Sequence, residues 1–136
     1  MVEHDTFPYG VVDFAGIAGA LIERPDIGMI RLSIFHGILE EHRHLYPEQR
    51  TVYEVGGVPL IKTVDWSQRP HLARTDWYRK LLEECVPVGK PIWIEHAMHG
   101  ICTSSPWERC GMMLYAPEGD MTRSGHTDGR RWRVPA

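Results

Sequence analysis

Eight histidines and three cysteines are unevenly spread along this chain of 136 residues, and two stretches concentrate the groups that can do chemistry. The first is HAMHGICTSSPWERC, where His96, His99, Cys102 and Cys110 bring together imidazole nitrogen and thiolate sulfur, the donors zinc prefers. Converging, they would make a tetrahedral site, and a zinc or other transition metal there would activate water, with Glu40 or Glu95 as general base. Strand alternation would send His96 and His99 to opposite faces unless the chain turns at Gly100. The plainer reading makes His96 a hydrogen-bonded pocket histidine among Ile92, Ile94 and Met98, with Cys102 and Cys110 as small buried apolar side chains.

The second stretch surrounds His36, Glu40 and His44, whose four-residue spacing would align them on one face of a helix. Such a trio could hold a metal or move protons near neutrality, and a solvated polar face accounts for it equally. His42 falls beside Phe35, Ile38 and Leu39 in helical geometry. It could serve as a pocket ligand, as an axial haem ligand or as a packed core histidine.

The formal charge of −3 argues against nucleic acid as the main partner, because that binding runs on Lys and Arg neutralising phosphates. No apolar run approaches the roughly 18 to 20 residues of a membrane span, and the first ten residues lack a basic stretch followed by an apolar one. Cys85, Cys102 and Cys110 cannot all pair within the chain, which fits a reducing, cytoplasmic compartment. The length suits one domain over residues 1–136, with a helical N-terminal part (1–50) and a sheet-containing core (51–134).

Several elements must position these groups. Phe14, Ile17, Ala18, Leu21 and Ile22 recur at helical spacing behind Asp13, a potential N-cap, and Pro25 lies beyond the end. Gly16 and Gly19 weaken that helix and mark a close approach to a neighbour. Ile27, Ile30, Ile34, Ile38 and Leu45 predict a second, long helix to about Tyr46; a strand through Ile30, Leu32 and Ile34 is the rival. Thr51–Val55 and Val58–Asp65 form a hairpin signal around Gly56 and Gly57. Thr75 or Asp76 can cap a helix presenting Tyr78, Leu81, Leu82 and Cys85 on one face. Ile92–Ile101 alternates as a strand, Cys110–Ala116 is another, and Arg131–Val134 a short last one. The fold class expected is α+β: a single antiparallel sheet with two N-terminal helices and a connecting helix.

From Thr51 to Val134 this order resembles a PAS domain, and WYRKLLEECVPVGKPIWI, Trp77 to Ile94, is similar to the PAS passage from the last connecting helix into the following strand. The resemblance implies a sensory or regulatory pocket between sheet and helices. Trp77, Tyr78, Trp93, Met98 and His42 would line it, and His96 would fix a small molecule or cofactor. GILEEHRHLYPE also approximates the first cupin motif through His42, His44 and Glu48, yet cupin ligands sit on strands and the second motif is absent downstream. Two further classes remain: a metal-dependent enzyme using the clustered histidines, and an interaction subunit, possible also as a homo-oligomer, whose aromatic residues serve an interface.

Overall fold

The computed structural model describes residues 6–48, 50–127 and 132–133. The chain runs β1 (Thr6–Pro8), α1 (Phe14–Glu23), β2 (Met29–Arg31), a 3-10 helix (Glu40–Leu45), β3 (Val52–Val55), β4 (Val58–Thr63), β5 (His71–Ala73), α2 (Thr75–Cys85), α3 (Ile94–Thr103), α4 (Trp107–Cys110), β6 (Met112–Tyr115), β7 (Ser124–Thr127) and β8 (Trp132–Arg133). The class is α+β, with two sheets in place of the single antiparallel one expected. A five-stranded sheet has the order β3-β4-β6-β2-β5, and a three-stranded sheet the order β1-β7-β8. The larger is mixed, because β2 runs parallel to β6 while every other neighbour is antiparallel. Ser33, just past β2, accepts the backbone N–H groups of Arg123 and Ser124 and so ties the end of β2 to the start of β7.

Local chemistry explains the elements that form where expected. Asp13 accepts the Gly16 N–H at 2.8 Å as the N-cap of α1, an interaction of about 1 kcal/mol. A side chain at Gly16 would collide with Asp13 and with Val58 of β4, so this glycine lets α1 approach the sheet, whereas Gly19 faces open space. Gly56 (φ 57°) and Gly57 (φ 81°) take the two left-handed positions of a tight hairpin turn between β3 and β4.

Two segments form differently. The helix expected over Ile27–Tyr46 is replaced by β2, a loop and the short 3-10 helix, so the N-terminal fifty residues contribute strands as well as helix. Residues 27–33 are buried at every position, because β2 lies between β6 and β5 with helices on both sides of the sheet. A strand covered on both faces needs no alternation of apolar and polar residues, so the isoleucines at 27, 30 and 34, in and around β2, mimic a helical stripe. The strand expected over Ile92–Ile101 is helix α3: Ile94, Met98, Ile101 and Cys102 recur at helical period and pack on the core, while His96 is exposed. Of the expected strand Arg131–Val134, Trp132 and Arg133 form β8, and Arg131 and Val134 lie outside the described residues.

Alternation along the strands assigns the two faces of the larger sheet. Ile30, Leu60 and Met113 face α1 with Ile17, Ala20 and Leu21. Met29 and Met112 face α2 and α3, packing with Leu81, Met98 and Cys102. Ile61 and Leu114, on the same face, pack instead with Leu45 and Tyr46. Among the described residues, no helix is long and apolar enough to cross a membrane.

Candidate functional site

The same alternation that sends Met29 toward α2 and α3 sends Arg31 there too, and its cross-strand partner on β5 is His71. Arg31 is 1% exposed. Its Nη2 donates to Asp65 Oδ2 at 2.7 Å and to the Tyr46 hydroxyl at 3.2 Å, while its buried Nε meets no acceptor among the described residues. Asp65 sits just beyond β4, where its backbone N–H donates to Thr63 Oγ1 at 3.0 Å. From α3, His99 brings Nδ1 to 3.5 Å from Asp65 Oδ1. Burying an arginine costs several kcal/mol unless a counter-ion offsets it, and Asp65 is that counter-ion.

A second guanidinium lies alongside. Arg69, partly buried, stacks on the Phe35 ring with 5.2 Å between its Cζ and the ring centre. Burial, and next the charge of Arg31, push its pKa below the ordinary arginine value, against weaker opposing effects of Asp65, Tyr46 and Glu95. Among the described residues no hydrogen-bond acceptor or ion-pair partner meets this guanidinium.

The other face of this polar cluster is His71, 4% exposed. Its Nδ1 lies 2.7 Å from the Arg69 carbonyl oxygen. A carbonyl only accepts, so the ring proton is on Nδ1. Burial holds the imidazole below its ordinary pKa, partly offset by that hydrogen bond, so the ring is neutral at pH 7. It lies parallel to Tyr78 of α2, with centroids 5.9 Å apart and planes 8° from coplanar. Between β5 and α2 opens a cleft of about 480 Å³, within the range of small-molecule sites. Ala73, Leu82 and the His71–Tyr78 pair wall it, and Thr75, Arg79 and Glu83 supply polar groups.

No family model, no curated protein and no solved structure matches this chain. The geometry therefore carries the functional argument.

The residues singled out in the sequence are mostly dispersed. Helix α3 sends the proposed zinc ligands in three directions. His96 stacks on Trp93 at 5.6 Å, His99 meets Asp65, and Cys102 lies against Cys110 with the sulfurs 2.8 Å apart. Among the described residues no group of three or more His, Cys, Asp or Glu is placed to hold a metal ion. The hydrogen bond to Cys110, together with burial, holds the Cys102 thiol well above its ordinary pKa; the same bond favours the Cys110 thiolate. Without the long helix, His36 pairs with Asp120 at 2.9 Å, Glu40 with Arg43 and Arg50, and His44 is exposed. His42 contacts Phe35, with centroids 6.0 Å apart.

His96 does not point into the interior as a strand residue would, and Trp93 is 66% exposed. Met98 is buried in the core under α3, and Trp77 packs against that cluster. Tyr78 alone among the expected pocket residues lines the β5–α2 cleft. Arg31, Asp65, Arg69 and His71 escaped the sequence reading. Arg31 carries a usable signal, since a charge inside the apolar run IGMIRLSI is either exposed or buried with a partner.

Proposed function

We propose that this chain is a small-molecule-binding domain, of the sensory or regulatory kind that the PAS resemblance implies, with its ligand in the cleft between β5 and α2. The observation that supports this is the cleft itself: a hollow of about 480 Å³ with an apolar wall and a neutral, stacked imidazole–phenol pair. Such a surface suits a compact, largely apolar ligand with a flat ring, oriented by the few polar groups at Thr75, Arg79 and Glu83. The resemblance implies a pocket between sheet and helices; the walls of the cleft proposed here are those of β5 and α2. The passage Trp77 to Ile94 that carries the resemblance runs from α2 into α3.

Leu82 is half-buried on the cleft wall and packs against the cluster under α2, so Leu82→Trp fills the hollow from its wall. In a fragment screen read by amide NMR, aromatic fragments should perturb Ala73, Thr75, Tyr78 and Leu82 in the wild type, and Leu82→Trp should weaken binding at least about tenfold. Native mass spectrometry of freshly isolated protein would report a retained ligand directly. Perturbations centred elsewhere, or binding untouched by Leu82→Trp, would remove the reading.

A further inference from the structure

We propose that Arg69, backed by Arg31 on the α3 side of the sheet, is the anchor of an oxoanion-binding site that takes a small carboxylate or phosphate group. The site is separate from the β5–α2 cleft and does not depend on it.

Among the described residues, the side chains around Arg69 leave a charge balance open. Arg31 faces His71 across the sheet, His71 Nδ1 lies 2.7 Å from the Arg69 carbonyl oxygen, and Leu32 N–H donates to the Pro70 carbonyl at 2.9 Å, so Arg69 is held beside Arg31, whose charge lowers its pKa. The carboxylate bonded within this group belongs to Asp65, and both its oxygens are engaged. Oδ2 accepts from Arg31 at 2.7 Å, and Oδ1 faces His99 Nδ1 at 3.5 Å. Glu95 on α3 acts on Arg69 only as the weakest of the recognised influences. Among the described residues, Arg69 therefore has no carboxylate bonded to it.

Its surroundings pre-set it for a ligand. Phe35 covers the guanidinium and holds it through a cation–π contact, leaving the in-plane N–H donors to meet a planar or tetrahedral acceptor. Arg69 is partly buried, and a charge-assisted bond to a partly desolvated donor is stronger than one in open water. Arg31, whose Nε meets no acceptor among the described residues, adds positive potential from behind. Carboxylate and phosphate share the feature this fork recognises, two oxygens spaced for parallel hydrogen bonds. Two guanidiniums held close together, with one bonded carboxylate among the described residues, make a place where an anion lowers the energy of the whole cluster.

The test is a titration of the full chain with inorganic phosphate and, separately, with acetate, read on the arginine Nε–Hε and backbone amide resonances by NMR. Saturable shifts at the Arg69 side chain are expected with at least one ion, and the tighter of the two assigns the ligand class. Arg69→Lys, which keeps the charge and loses the fork, should weaken binding about tenfold, and Arg69→Gln should abolish it. Leu82→Trp should leave the titration unchanged, so failure of the cleft and failure of this site are read separately. If neither ion moves the Arg69 resonance in the wild type, or if binding persists unaltered in Arg69→Lys, the site does not exist.

Discussion

The two faces of the five-stranded sheet are built on opposite principles. Toward α1, the side chains of Ile30, Leu60 and Met113 meet Ile17, Ala20 and Leu21 in one continuous apolar cluster. Toward α2, α3 and the 3-10 helix, the apolar side chains fall into two clusters. Arg31 reaches from β2, whose Met29 belongs to the first, to Tyr46, which belongs to the second. A closed apolar face contributes stability in proportion to the area it removes from water. A face interrupted by buried charge gives up part of that area and must satisfy its polar groups. Both the β5–α2 cleft and the Arg69 cluster lie on the interrupted side, where function can be housed without opening the main core.

The sharpest way to break this contrast is Asp65→Ala, which leaves the Arg31 charge buried without its counter-ion. Chemical denaturation should show a loss of about 3–5 kcal/mol, and the double variant Arg31→Met with Asp65→Leu should recover most of it. Added phosphate should restore part of the stability of Asp65→Ala through the arginine charges left without a carboxylate, because a ligand that binds only the folded state stabilises it. If Asp65→Ala were as stable as the wild type, the ion pair would not be the organising contact of this face.

On the closed face, Leu60→Ala should cost about 2–4 kcal/mol through lost burial and a residual cavity. Phosphate binding and fragment binding should be retained, since Leu60 points away from both sites. Loss of either on this substitution would mean that the two faces are not independent.

The smallest effect is the pH dependence of the interrupted face. Burial depresses the His71 pKa below its ordinary value of 6.5, so the unfolded chain takes up this proton before the folded one. The His71 contribution is therefore complete above about pH 6.5 and is lost as the pH falls through the folded-state pKa. An NMR titration of the ring should find its midpoint below 6.5, and His71→Gln should flatten the fall in stability between neutral and mildly acidic pH. A midpoint at or above 6.5 would show that the ring is not desolvated under α2.

The elements legible in the sequence were those settled by neighbours along the chain. The Asp13 cap with the α1 stripe, the Gly56–Gly57 turn and the face of α2 each depend on contacts within a few residues. The α3 segment was misread because IWIEHAMHGI satisfies period two and period three-and-a-half together, and only the core beneath Met98 and Cys102 selects the helix. Tyr78, expected from the amphipathic face of its helix to line a pocket, lies on the wall of the β5–α2 cleft. The cluster around Arg31 was not legible, because its partners come from distant segments.

By itself, then, the amino-acid sequence determined an α+β class, the Asp13 cap of α1, the Gly56–Gly57 turn and the places of α1, α2, β3, β4 and β6, while the cap of α2 falls on Arg74 in place of Thr75 or Asp76. Tertiary structure decided that residues 29–31 are a strand, by inserting them between β6 and β5, where both faces are covered and amphipathic periodicity vanishes. It also decided which polar groups meet: Arg31 and Asp65 are 34 positions apart, and no local rule pairs them. A buried charge selects its partner by the cost of leaving it unpaired, and that cost exists only once the chain has folded around it.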